Sequence, residues 1–173
     1  IGLDDEIILE SGAGESNISN NPGCDDTSPR IGSGGHVTWQ GYCDYTSPTS
    51  FSDYEVFLYN GSTVTNISND HNYLLLNADK APQVNGLGHV VWVKSYATHS
   101  NVYYSNGTSG PQNLSNTSNT VDSPQINDND EVVWAQDDGN DYEIFFWNGG
   151  APTRITDNDE DDFLPKINND GKV

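Results

Sequence analysis

Carboxylates gathered on short turns can hold a divalent cation, and the densest such group in this chain is Asp137-Asp138-Gly139-Asn140-Asp141-Tyr142-Glu143. Calcium takes oxygen ligands from carboxylates, backbone carbonyls and Asn side chains, all of which an Asp/Asn/Gly turn supplies. Asp137, Asp141 and Glu143 are therefore the candidate metal ligands, with Ca²⁺ as the cofactor. Their order is not that of an EF-hand loop. A solvated, solubilising acidic surface accounts for the same residues equally simply. No His-x-x-x-His pair and no Ser/His/Asp arrangement is present to suggest nucleophilic or metal-assisted catalysis, so no catalytic residue is assigned.

The elements that position these residues recur. Pro29, Pro82, Pro124 and Pro165 are separated by 53, 42 and 41 residues, and each opens the same four beats. Pro-x-(Ile/Val) comes first, then a Gly/Asn/Asp turn, then a β-branched run ending in Trp39, Trp92 or Trp134. The fourth beat is an aromatic strand (Tyr54 to Tyr59, Val102 to Ser105, Tyr142 to Trp147). It closes in Asn-Gly, a strong hairpin signal, and leads to a last short strand. Four short strands at this period make one antiparallel blade of an all-β propeller.

Five segments follow: an outer half blade at 1–27, a blade at 28–80 with an insertion at 41–52, blades at 81–122 and 123–163, and the start of another at 164–173. About four blade equivalents are thus expected, as part of a larger or shared ring, because the two end segments complement one another. Unpaired blade edges recruit partner strands, which makes further copies of the chain, or another protein, the expected partners. Trp39, Trp92 and Trp134 share one slot, and Tyr59 and Trp147 another, as aromatics packed between blades do. His36 and His89 share a strand start with Glu131 and Lys172 and read as exposed positions. His71 and His99 stand alone in loops.

The motif Pro-x-Ile-Asn-x-Asp-Gly-x-Val-Val-Trp, spread across Pro165 to Val173 and Pro124 to Trp134, precedes Asp-Tyr-Glu-Ile-Phe and Arg-Ile-Thr-Asp-Asn. Together these resemble the TolB-type (WD40-like) β-propeller repeat over nearly the whole chain. The resemblance implies a propeller serving in periplasmic protein interaction, in peptidase accessory domains, in a few polysaccharide lyases or in surface proteins. The sequence departs from the pattern in the insertion and in the third segment, where His99 and Asn101 replace Asp141 and Glu143.

Charge and cysteine usage narrow the function. A net charge of -20 repels phosphate backbones and anionic lipid, which argues against nucleic acid and membrane partners and leaves cations and basic proteins. No apolar run is long enough for a membrane-spanning helix. In a propeller the loops from strand two to three and from strand four to the next strand one share a face. That face receives Asp25, Asp26, Asp44, Asp53, Asp137, Asp138, Asp141, Asp157 and Asp159 to Asp162.

If Ile31 pairs with His36 across the Gly32 to Gly35 turn, the same register sets Cys24 opposite Cys43, within reach of a disulfide. The alternative is two unrelated thiols. A disulfide implies an oxidising location, extracellular, cell-surface or periplasmic. Sequons at Asn17, Asn60, Asn66, Asn106, Asn113 and Asn116 suit glycosylation of exposed edges, although hairpin turns call for the same residues. The expectation is a non-catalytic binding or self-assembly module. The alternative is a carbohydrate-active propeller enzyme, a polysaccharide lyase or hydrolase, using the acidic face and a cation.

Overall fold

The computed structural model describes residues 4–21, 23–43, 53–69 and 77–173, with the side chain of Cys43 left out. Every regular element among them is a β-strand. A first pair, β1 (Ile8–Ser11) and β2 (Gly14–Asn17), forms a two-stranded antiparallel sheet. Three four-stranded antiparallel sheets follow: β3 (Cys24–Ile31), β4 (Val37–Cys43), β5 (Asp53–Tyr59) and β6 (Val64–Asn66); then β7 (Ala78–Val84), β8 (Val90–Ser95), β9 (Ser100–Ser105) and β10 (Gln112–Asn113); then β11 (Val121–Ile126), β12 (Val132–Asp137), β13 (Tyr142–Trp147) and β14 (Thr153–Arg154). In each sheet sequential strands are neighbours, so each is an up-and-down blade. The expected all-β propeller architecture is present as three complete blades and an outer half blade. In the last described segment the amides of Asn168 and Gly171 repeat the strand one to strand two turn.

The core lies between blades. Val56 of the first complete blade packs with Val90 and Trp92 of the second. Val91, Val102 and Leu114 of the second meet Val121, Val132 and Trp134 of the third, while Ile7 and Ile18 of the half blade meet Val37 and Trp39. Trp39, Trp92 and Trp134 are almost wholly buried, and each stacks on an aromatic of its own strand three, Phe57, Tyr103 and Phe145. The period-locked Trp residues are therefore packing groups.

The innermost strand begins ahead of its proline because a bulge lets it continue. Register shifts separate Thr27 from Arg30, Lys80 from Gln83, and Asp122 from Gln125. Ser28, Ala81, Ser123 and Leu164, each preceding a proline, have φ of 57, 53, 53 and 56°. A following proline disfavours the right-handed helical region, and the bulge uses the left-handed one. The same bulge corrects the expected hairpin register. Ile31 pairs with Val37, not His36, because the turn closes with the Gly32 amide donating to the His36 carbonyl. The extra residue at the bulge then restores the offset, so Cys24 does lie opposite Cys43.

A buried polar device repeats in every blade. The hydroxyls of Ser19, Ser68 and Thr156 donate to the carboxylates of Glu6, Glu55 and Glu143, and that of Ser115 donates to Asn101 Oδ1 at 2.9 Å. The same oxygens accept the backbone N–H of Ile7, Val56, Ile144 and Val102. Strand four is thus pinned to strand three where its ladder ends. Ser68→Ala leaves the Val56 amide and a buried carboxylate each short of a partner, at a cost of about 1–3 kcal/mol. Ser68→Thr, which Thr156 copies, should cost much less. Urea unfolding of the two variants measures the difference, and equal losses would contradict this role.

Candidate functional site

The hairpin between β12 and β13 begins with an Asx turn, the Gly139 amide donating to Asp137 Oδ1 at 2.7 Å. That commits Asp137 to the backbone, and the carboxylates that converge are Asp138, Asp141 and Glu143, with ligand atoms within 4.8 Å of one another. Asp137 does not join the group and its neighbour Asp138 does. Asp138 accepts the Asn140 amide and pairs with Arg154, which also reaches Asp157. Glu143 is buried, bound by Thr156 and by the Asn158 amide. Both carboxylate oxygens of Asp141 are covered and have no hydrogen-bond partner. Desolvation, then the charges of Glu143, Asp138, Asp161 and Asp159, raise the Asp141 pKa above the usual carboxylate range. The Tyr142 amide donates to Asp161 Oδ1 at 3.0 Å, so the loop after β14 shares the face of this hairpin as expected.

A second polar concentration lies in the cleft between the first and second complete blades. It has a volume of about 290 Å³ and is lined by Ser68, Asn77, Asp79, Lys94, Tyr96 and Tyr103 among others. Asp79 Oδ1 accepts the Trp92 indole N–H at 2.6 Å, and its Oδ2 lies 3.7 Å from Lys94 Nζ. Both are buried. Burial, reinforced by the charges of Glu55 and Asp53 and opposed by the Trp92 bond, pushes the Asp79 carboxyl up to about 8. Burial pulls Lys94 down. Tyr96 and Tyr103 join their hydroxyls at 2.9 Å, and burial raises the Tyr96 phenol. Asp26 holds the Asp79 position one blade earlier, accepting from Trp39 at 3.0 Å, and burial raises it to about 6. Sequence reasoning placed Asp26 among the loop carboxylates and passed over Asn77, Asp79 and Lys94. The available signal was the acid three residues before Pro29, Pro82 and Pro165.

The remaining candidates are dispersed. His36 and His89 are half-buried, and His89 is not the exposed position expected. Its Nδ1 lies 2.6 Å from Asp130 and 3.1 Å from the Tyr104 hydroxyl, because the neighbouring blade's turn folds over it. His99 stacks on Tyr96. His71, Asp44 and most of the 41–52 insertion lie outside the described residues. Asn17, Asn66 and Asn113 use Oδ1 to accept the amides of Asn20, Asn69 and Asn116, which have positive φ. Asn60 and Asn106 cap their Asn-Gly turns in the same way. Asn116, the sixth sequon residue, is exposed.

The structure resembles solved β-propeller domains carried by peptidases. Against the β-propeller domain of the Trilobed protease from Pyrococcus furiosus the TM-score is 0.64 at 15% identity, over 89% of this chain and 44% of that one. Against the acylaminoacyl peptidase of Pyrococcus horikoshii it is 0.65 at 12% identity, over 88% and 22%. A puromycin-hydrolyzing peptidase of Mycobacterium tuberculosis gives 0.51 at 12% identity, over 80% and 22%. The chain thus spans less than half the length of each, and at these identities the likeness is one of fold. No protein-family model and no curated protein matches the sequence.

The raised Asp79 carboxyl has a stability consequence. A folded pKa above the ordinary carboxylate value favours the protonated form in the native state. Its stabilisation is full at acid pH and is lost as pH rises through about 8. Lys94, lowered by burial, works in the opposite sense at alkaline pH, so the informative quantity is a difference between variants. Asp79→Asn copies the neutral acid and keeps an oxygen for Trp92. Its melting temperature should fall less than that of the parent between about pH 4 and pH 8. Parallel curves would contradict the assignment.

Proposed function

We propose that the chain is a non-catalytic propeller module that binds a basic protein partner through its acidic face. The observation that carries this reading is the group of exposed carboxylates, Asp138, Asp157, Asp159, Glu160 and Asp161, on the face where loops of one blade meet the start of the next. Such a field speeds encounter with a cationic partner and weakens as salt rises. The resemblance of the sequence to the TolB-type repeat fits a protein-interaction role. Likeness to propellers carried by peptidases favours a second version, in which the module accompanies a peptidase and meets its substrates. Self-assembly through blade edges is a further form of the same binding role. A lysine-rich peptide titrated by calorimetry should bind, with affinity falling steeply between low and physiological salt. No heat of binding at low salt would contradict the proposal.

Ca²⁺ binding belongs to this reading. The covered, unpartnered oxygens of Asp141 support it, since a cation would satisfy both. Calcium should then raise the melting temperature in a concentration-dependent way. Asp141→Asn should abolish the shift and Asp137→Asn should leave it. An unshifted parent protein would exclude the site.

A Cys24–Cys43 disulfide, and with it an extracellular, cell-surface or periplasmic location, completes the proposal. It is supported by the placement of the two residues as direct cross-strand partners. Peptide maps with and without reductant should show one linked pair, and two separately alkylated thiols would count against it. Glycosylation at the exposed sequons fits the same location.

A further inference from the structure

We propose that the cleft between the first and second complete blades is a binding site for the backbone N–H and C=O of one residue in an extended, neutral or basic peptide; this deepens the protein-binding role proposed above and rests on it. Asn77 carries the inference. Its residue surface is 5% exposed, it lines the cleft, and neither its Nδ2 nor its Oδ1 has a hydrogen-bond partner. A buried carboxamide normally has its donor and its acceptor satisfied, because leaving them unpaired costs more than one hydrogen bond gains. A donor and an acceptor side by side complement the N–H and C=O of one residue in an extended chain, which point to the same side, the C=O taking the Nδ2–H and the N–H meeting Oδ1.

The surroundings select the ligand class. The walls are aromatic, with Tyr103 stacked on Trp92 and its hydroxyl already bound to Tyr96, so the cleft offers flat apolar sides to a peptide plane. Asp79 and Lys94 lie 3.7 Å apart at its floor and are both buried. The cleft continues into a second one of about 450 Å³ between the edge of β6 and the β9–β10 connection, the two sharing Ser68 and Pro111. An elongated trough beside short outer strands suits an extended chain. Tyr96 places one end of the cleft at the β8–β9 connection, a loop of the class that carries the acidic residues. A net charge of -20 therefore favours a neutral or basic peptide over an acidic one.

The test uses an N-acetylated Gly-Leu dipeptide amide, followed by amide-resolved NMR titration of the whole chain. Shifts should concentrate at Asn77, Lys94 and Tyr103, and Asn77→Ala should weaken binding by about tenfold or more. Asn77→Leu keeps the approximate size but loses donor and acceptor, and it should weaken binding similarly while retaining the native spectrum, which separates a lost contact from a lost fold. N-acetylglucosamine carries the same amide on a sugar and should not bind. Its binding in preference to the dipeptide would overturn the peptide assignment. No dipeptide shifts at the cleft, or equal affinity in the parent and both variants, would overturn the site. Because the probe is uncharged, failure here leaves salt-sensitive binding of the lysine-rich peptide intact, and failure of that binding leaves this titration readable.

Discussion

What holds the blades in sequence order is a relay of asparagine amides at the strand one to strand two turns. Asn127 Oδ1 accepts the amides of Asn129 and Glu131 and so closes its own turn, while its Nδ2 donates to the Asn168 carbonyl at 2.9 Å. Asn85 does the same one blade earlier, closing its turn and donating to the Asn127 carbonyl at 3.0 Å. One side chain satisfies local backbone and grips the next blade, so neither the turn nor the blade spacing can shift alone. Gly32 takes the position where the series starts. A Cβ there would sit 2.3 Å from the Asn85 carbonyl oxygen, and the close approach requires glycine. Asp128 adds a longer link, accepting from Ser33, from the Gly86 amide and from Asn169, and these bonds hold its carboxyl below the ordinary range.

With that face fixed by backbone-directed bonds, the blades can differ at the opposite face. The strand-three acid of one blade faces the strand-one acid of the next. Burial raises Asp26 and Asp79, and the charges of Glu6 and Glu55 add to it in turn. Between the second and third complete blades both members change together, to Asn101 and Val121, and the contact there is largely apolar. Trp134, deprived of a strand-one carboxylate, turns its indole N–H to Gln136. Burying like charges is costly. One interface avoids the cost by deleting both acids. Another brings Lys94 in beside Asp79, and both line the polar cleft there.

The fold was legible because its determinants are local and periodic: the proline bulge, the Asn-capped turn, the Trp strand and the Asn-Gly hairpin each announce themselves within a few residues. The opposition of Cys24 and Cys43 was legible too, although its reasoning held only because the bulge cancels a one-residue error at the turn. The site was less so. Asp138 rather than Asp137 stands with Asp141 and Glu143 although both adjacent carboxylates accept turn amides, and spacing alone does not separate them. Asn77 carries no motif. Its significance depends on what it fails to touch, which only three-dimensional packing reveals.

The repeat also explains why the sequons are ambiguous as signals. In Asn17, Asn66 and Asn113 the side-chain oxygen orders the turn after strand four, and the serine two residues on is the buried hydroxyl that binds strand three. Both halves of Asn-x-Ser therefore serve the blade itself, whatever is attached to it. The third complete blade supports this argument, since Arg154-Ile155-Thr156 breaks the sequon while Thr156 keeps the buried bond. Selection on the fold acts on the hydroxyl, and the asparagine is the replaceable half of the pattern.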